Sequence, residues 1–592
     1  VTVGPAGRVL ALVAVLLLAA GCARLPSSST PQALGTLANE HPRPVVPYPE
    51  PGQDPDSLVR DFLQAGIDPV DSHAAARAFL TPDASADWDD TAATSIVDKV
   101  EVVEDSRTTT DASYTIRANQ VGSLAAGGRY QSENGQFQAT ITLTRVDGEW
   151  RVDSVPDGTI LERAQFRSAY QSKSIYFFDT LGRQLVPDPR WINAPPEQTV
   201  RRMIDLLLEG PNTTLAPSVS RPPTGVTLLA DPVKADGTEG PVGVGFGGVR
   251  LNFGGLESLD EQARTRFAAQ VIWTLARADI AGPYQLDVNG APIDPQREAG
   301  WTTEDVASFD PGASTGPNVG LHALVNGALA TVDESGTVTR VGGYFGADGS
   351  NLTSAALSRD GSLVAGVWDT GQAGATPVDV LVIGSYGGND ALTVAQGTSI
   401  GRPTWQPDGD AVWAVIDSER VIRAVANRDT GEVTVADVEA AAITALGGPI
   451  TELRLSRDGV RAALIVNGAA YIALVSAGPG GRYVLRDPRP AAVGYGSDAI
   501  SVDWAGASSV VIARATGEVP VVQAAIDGSG VDALPSLSLA TPLVTIEASP
   551  SRIYVADSRT VFSLDLTLPA TERMWFQVPG LVGGAVVPVL PG

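Results

Sequence analysis

The sequence predicts a multidomain protein: two successive α+β domains followed by an all-β propeller. Three observations point there. Five segments of the C-terminal half repeat with a period in the forties, which is the spacing of propeller blades. Upstream, apolar stripes of helical period lie beside runs that alternate every second residue. The chain has 592 residues, 43% hydrophobic and 18% charged, enough apolar material for packed cores and, at about 150 residues per domain, for roughly four domains or fewer. The formal net charge of −26 opposes non-specific binding to a polyanion, so no nucleic-acid partner is expected. One cysteine rules out an intramolecular disulfide and any Cys-based zinc site. The three histidines, His41, His73 and His322, argue against a multi-histidine metal centre. The basic residues are nearly all arginine, with Lys99, Lys173 and Lys234 the lysines. That bias, with abundant Ala, Gly and Val, fits a GC-rich genome.

The first element is an export signal. Residues 9–20 read VLALVAVLLLAA after a single charge, Arg8. A bilayer needs about 20 apolar residues, so this run fits the h-region of a signal peptide, residues 1–21, better than a membrane span. Val1 is expected to be a start residue read from a GTG codon. The lone cysteine, Cys22, follows Gly21 at the end of the run, as in a bacterial lipobox. There the thiol accepts a diacylglyceryl group, the peptidase cuts between Gly21 and Cys22, and the freed amine is acylated. Ala19 stands where a lipobox prefers leucine, with Leu18 one place earlier. The bland alternative is an ordinary signal peptide with an incidental cysteine. At ~0.8 kcal/mol per buried methylene, two or more chains hold a protein on a membrane. The expected location is the outer, extracytoplasmic face of the cell membrane, with residues 22–53 as lipidated cysteine and Pro/Ser-rich tether.

Residues 54–160 read as a small α+β domain. DPDSLVRDFLQAGI places Leu58, Val59, Phe62 and Leu63 on one helical face, and HAAARAFL is a second short helix. Three strands follow: SIVDKVEVVE, ASYTIRANQV and FQATITLTRV. In the last, Phe137, Ala139, Ile141 and Leu143 alternate with polar residues. Asp147-Gly148 then turns the chain back through Trp150, Val152 and Val155. Helices first and a curved antiparallel sheet after them resemble the NTF2-like cone. Asp83, Asp87, Asp89 and Asp90 surround Trp88. A solvated loop explains them better than a cation site, because no ligand spacing is recognisable.

Residues 170–300 read as a second α+β domain, identified by the order of its elements. A strand–turn–strand, SKSIYFFDTLGRQLVP, precedes helix 196–208. Its stripe is Val200, Met203, Ile204, Leu207 and Leu208, and Gly210 ends it. VTLLADPV and PVGVGFGGVRLNF read as strands. A capping box, Ser258 with Glu261, is expected to open the next helix, whose inner face carries Phe267, Val271, Ile272 and Leu275. YQLDVNGAPI closes the unit with an Asn-Gly turn. Residues 301–318 read as a linker, Pro/Gly-rich from 310 onward.

Residues 319–592 carry the repeats. Leu357, Trp405, Leu455, Trp504 and Ala548 are equivalent core positions, spaced 48, 50, 49 and 44 residues apart. Each repeat runs apolar strand, tight turn, strand. LHALVNGALATVDESGTVTRV, 321–341, supplies three outer strands without an inner one, and the tail GGAVVPVL, 583–590, is expected to provide it. That closure makes six blades; a five-bladed ring is the alternative.

No catalytic set is predicted. Gly312–Gly316 matches G-x-S-x-G around Ser314, but a nucleophile elbow needs a strand before it and a helix after it, and this one sits in the linker. Gly243, Gly245 and Gly248 match a dinucleotide pattern, yet no helix opens there to hold a phosphate. His322 is the sole propeller histidine and reads as a surface or packing residue. Asp360, Asp408 and Asp458 read as turn formers, and Trp368, Trp405, Trp413 and Trp504 as blade core rather than sugar platforms. No cofactor or metal is expected.

The order of lipobox, tether, NTF2-like segment, GerMN-like segment and propeller resembles the LpqB family of actinobacterial lipoproteins. That resemblance implies a surface-anchored accessory protein, not an enzyme. Its implied partner is the extracytoplasmic domain of the sensor histidine kinase MtrB, whose response regulator is MtrA, with effects on cell-wall homeostasis and division. A cell-wall ligand is a further candidate partner. The rival reading is an envelope glycan binder, or glycan-active enzyme, working through the propeller funnel or the NTF2-like pocket.

Overall fold

The computed structural model describes residues 46–592, apart from 239–241, 243–246, 313–318, 372–377, 428–429, 431 and 584. Gly21, Cys22 and His41 lie outside the described residues, as do Ser314, Gly243 and Gly245.

The N-terminal domain starts with helix Pro55–Ala65, capped by Asp54, whose side chain accepts from Asp56 N. It buries Leu58, Val59 and Phe62. Short helices Ala74–Arg77 and Pro82–Asp87 follow. They pack on a sheet in the order Glu149–Ser154, Arg129–Val146, Asp111–Ala125, Thr94–Arg107, Ile160–Glu162. The predicted alternation buries Ala139, Ile141 and Leu143. Asp147 and Gly148 both have positive φ, 55° and 88°, as a two-residue type I′ hairpin requires. The domain extends beyond residue 160, the boundary expected from sequence. The last strand and helix Arg163–Ala169 continue past it, with Phe166 fully buried.

The second domain pairs hairpin Gln171–Phe178/Leu185–Ile192 with a small sheet. In that sheet Val249–Gly254 runs parallel to Tyr284–Val288, and helix Glu261–Ala276 makes the crossover that parallel strands need. Helix Pro196–Glu209 buries Val200, Met203, Ile204, Leu206 and Leu207. Three readings are corrected here. The crossover helix is capped by Asp260, whose carboxylate accepts from Ala263 N at 2.8 Å; Ser258 lies in the preceding turn, out of capping position. Among the described residues of the predicted strands, Thr227–Leu228 and Val249–Gly254 are strand, and the left-handed Gly248, φ 64°, marks the start of the second; residues 239–241 and 243–246 lie outside the described residues. Residues 301–309, assigned to the linker, are part of this core. Trp301 and Val306 are buried, Trp273 Nε1 donates to Val306 O at 3.0 Å, and Phe309 meets Phe178 edge-on.

The C-terminal domain comprises six four-stranded sheets. Their inner strands, blades two to six, are Leu352–Leu357, Thr404–Trp405, Ile450–Leu455, Ala499–Trp504 and Leu543–Ala548. Blade one borrows its inner strand from the tail: Val586–Val589 pairs antiparallel with Leu321–Val325, Leu324 opposite Val587. The five aligned core positions are all buried. Two of them also stitch blades together: Trp405 Nε1 donates to Ala356 O at 3.0 Å and Trp504 Nε1 to Arg454 O at 2.9 Å. An indole N–H that finds a carbonyl in the neighbouring blade adds direction to apolar packing.

Deleting residues 580–592 removes the inner strand of blade one and is expected to lower the propeller's melting temperature sharply and broaden its transition. Differential scanning calorimetry checks this; an unchanged melting curve counts against tail closure.

Candidate functional site: the propeller axis and the seam between modules

In each repeat, the residues one and three places before the core position share one face of the inner strand, because side chains alternate with period two. In blades three to six they are Arg402 and Thr404, Glu452 and Arg454, Ser501 and Asp503, Thr545 and Glu547. These polar side chains converge. Arg402 of blade three bonds Glu452 of blade four and also Glu547 of blade six, diametrically opposite in a six-membered ring. It therefore lies across the axis. Arg454 contacts Asp503 at 3.1 Å and Glu547 at 3.4 Å and donates to Pro403 O. Remaining acceptor sites take backbone N–H groups of the next blade: Val502 N to Glu452, Ala548 N to Asp503, Leu455 N to Thr404 and Ile546 N to Ser501.

Three carboxylates thus face two guanidiniums in a buried cluster. Burial holds the Glu547 carboxyl up at about 7, with Arg402 and Arg454 opposing and Asp503 and Glu452 reinforcing. Asp503 goes the other way: against its burial, Arg454 and Arg402 hold it below the usual range. This is structural electrostatics, a polar plug that fixes the register of four blades. Breaking a buried pair by removing one partner costs about 3–5 kcal/mol.

The residues singled out from sequence separate cleanly. Trp405, Trp413 and Trp504 are core, at most 2% exposed; Trp368 is half-buried in blade two. Asp360 and Asp458 accept from the backbone N–H two residues on, Asp408 likewise, so all three are turn formers. His322 is buried and packs edge-on against Tyr386, with Nε2 2.8 Å from its hydroxyl. Burial pushes its pKa down. The aspartates around Trp88 do not converge. Asp90 accepts from His73 and Arg77, Asp89 from Thr91, and Trp88 is core. Among the described residues no group of three or more His, Cys, Asp or Glu is placed to hold a metal ion. The axial cluster was not read from the sequence. Its signal is the recurrence of charge at two fixed offsets from the core position.

The three modules are joined by specific polar contacts. Trp191, on the second domain's hairpin, is the hub. It stacks on Phe166 of the first domain at 4.5 Å and its Nε1 donates to Asp527 of blade five at 3.0 Å. Its backbone N–H bonds Gly128 O at 2.7 Å. Gly128 has φ 71°, and a Cβ there would sit 2.2 Å from Trp191 O, so only glycine permits this approach. Arg461 of blade four donates to Pro187 O, and Ser218 Oγ to Val475 O. Ser132 Oγ reaches Pro490 O of blade four at 3.0 Å.

Family models match along the chain: "Lipoprotein LpqB, N-terminal domain" over 48–167, the Germane domain ("Sporulation and spore germination") over 174–294, and "Lipoprotein LpqB beta-propeller domain" over 327–591. Relatives named Lipoprotein LpqB span nearly all of it. That of Rhodococcus opacus is 50% identical over 98% of this chain and 97% of its own. That of Nocardia farcinica is 45% identical over 100% and 98%, and that of Mycobacterium ulcerans 40% over 99% of each. Among solved structures, the periplasmic gluconolactonase PpgL of Pseudomonas aeruginosa is 14% identical with a TM-score of 0.32, covering 45% of this chain and 80% of that one. The fold and these matches define a class: a membrane-associated lipoprotein carrying a Germane domain and a β-propeller. Within that class, the chain belongs to the LpqB lipoprotein family.

Two outcomes are expected. Arg402→Met removes the guanidinium partner of Glu452 and leaves Glu547 with Arg454 alone, and should cost about 3–5 kcal/mol in urea unfolding, far more than Arg340→Met at an exposed site. His322, held neutral in the fold, binds its proton more readily when unfolded. The contribution of His322 should therefore fall as pH drops below the unfolded value near ~6.5, while that of Glu547, raised to about 7, runs the other way, so the His322 part is read as the difference between wild type and His322→Gln. On going from pH 7.5 to 5.5, His322→Gln should lose less melting temperature, or gain more, than the wild type; identical shifts in the two proteins count against this role.

Proposed function

We propose that this LpqB-type lipoprotein is an accessory partner of a membrane sensor histidine kinase of the MtrB type. It engages the kinase's extracytoplasmic domain and tunes its output, and through it cell-wall homeostasis and division. The observation that carries the reading is the joining of three modules into one compact body by Trp191, Arg461, Ser218 and Ser132. Such a body presents a large fixed surface. The family itself is one of lipoproteins, not of enzymes. Acylation of Cys22 after cleavage at Gly21 places that body on the outer face of the cell membrane. Confinement there raises the effective concentration of a membrane partner, so modest contacts suffice.

Two measurements test it. Cys22→Ser should move the protein from the membrane fraction to the soluble fraction; undiminished membrane association contradicts the lipid anchor. Pull-down of the detergent-solubilised protein should recover a sensor kinase and lose it when the propeller is deleted together with the Germane domain. Glycan binding or turnover with no kinase recovered would favour the envelope glycan reading instead.

A further inference from the structure

The inner strands of the propeller run in one direction along the axis, so the turns that follow them share one face. On that face Arg359, from the turn of blade two, passes in front of blade three. Its Nη2 donates to the carbonyl of Arg457 in the turn of blade four at 2.8 Å. The Germane domain packs over the same face, since Arg461, four residues beyond Arg457, bonds Pro187. Between the two lies a cavity of about 570 Å³ lined by Lys173, Arg277 and Asp279 on one side and by Arg457, Ala507 and Asp527 on the other.

The charge of this cavity runs against the rest of the protein. The chain carries 67 acidic and 41 basic residues, and one of its three lysines is here. Arg277 is answered by Asp310. Asp527 already accepts from Trp191 and from Ser529. Arg457 is only partly answered: its Nε is buried and has no hydrogen-bond partner among the described residues, and the charge of Asp503 supports it while that of Arg454 opposes it. Burial lowers its pKa. Arg359 is pushed down to about 10 by burial and by Arg457 beside it. A half-buried guanidinium short of hydrogen-bond partners gains from an added anion. The volume lies within the ~300–1,000 Å³ of small-molecule sites, far more than an inorganic ion needs.

We propose that this cavity binds a small organic anion, carried on a phosphate or a carboxylate, with Arg457 and Lys173 as the residues that recognise its charge. Arg presents a planar fork suited to either group, and Lys173 reaches it from the Germane side. A ligand there touches the Germane domain and the propeller at once.

Calorimetry on the purified full-length chain tests this with three probes: N-acetylglucosamine 1-phosphate, N-acetylmuramate and, as uncharged parent, N-acetylglucosamine. At least one charged sugar should saturate a single site while the parent does not. Saturation by the first alone assigns a phosphate ligand, and by the second alone a carboxylate. Arg457→Gln and Lys173→Gln should each weaken binding about tenfold or more, and Ala507→Phe, which fills the cavity, should abolish it. Unchanged melting curves would show that these variants fold. No binding of either charged sugar at millimolar concentration overturns the proposal. So does equal binding of the parent, or wild-type affinity in Ala507→Phe together with either charge variant. None of these readouts depends on a kinase being present.

Discussion

A four-stranded blade has two apolar faces and buries both only between two neighbours, so every blade of the ring depends on closure. Here closure is made by Val586–Val589 pairing with Leu321–Val325, the two ends of the domain's sequence. On one side the shared sheet places Leu324 and Val589 against Leu352 and Phe345 of the next blade. On the other, Ala323 and Val586 meet Ala556 and Val561 of the sixth. Fully burying such side chains contributes roughly 1.5–3 kcal/mol each. The contribution is conditional: without the tail strand, the faces of blades one, two and six open to water together. The tail then continues across the ring, Gly592 N bonding Leu357 O.

Apolar packing between blades does not by itself fix how far one blade slides along its neighbour. The axial cluster does. Each carboxylate in it accepts from a guanidinium and, for Glu452 and Asp503, from a backbone N–H of the following blade. A slip of one residue would move every one of these groups to the opposite face of its strand and leave buried charges unpaired. The cluster costs desolvation energy and returns registry, a role in which buried polar groups are well attested. The seam applies the same logic between modules: Trp191, with Asp527 on one side and Gly128 on the other, allows few relative orientations of the three domains.

The sequence made the architecture legible because period and turn chemistry are local. The five repeats, the Asp-Gly turns at 360, 408 and 458, and the unpaired outer strands at 321–341 were enough to predict six blades and the swapped tail strand. What escaped depended on contacts distant in the chain. Trp301 and Val306 look like linker residues until Tyr284 and Trp273 are placed beside them. Ser258 satisfies a capping pattern that Asp260 satisfies with better placement. Arg402 and Glu547 are 145 residues apart, and only the six-fold closure sets them face to face. The four aspartates around Trp88 show the converse: proximity in sequence did not become convergence in space, because His73 and Arg77 claim Asp90 and Trp88 turns into the core.

The same construction bears on how such a body transmits information. Trp191, Arg461 and Ser218 hold the Germane domain on the turn face of the propeller, and Arg359 and Arg457 place two half-buried guanidiniums close together on that face. Both belong to the propeller, so their mutual repulsion lies within that face, while the joint to the Germane domain is held by its own polar bonds and apolar packing. The proposed anion, seated between Lys173 and Arg457, would touch both modules at once, so its binding free energy would add to the contacts that already join them. The seam fixes the surface, and the ligand would reinforce the same arrangement rather than create another.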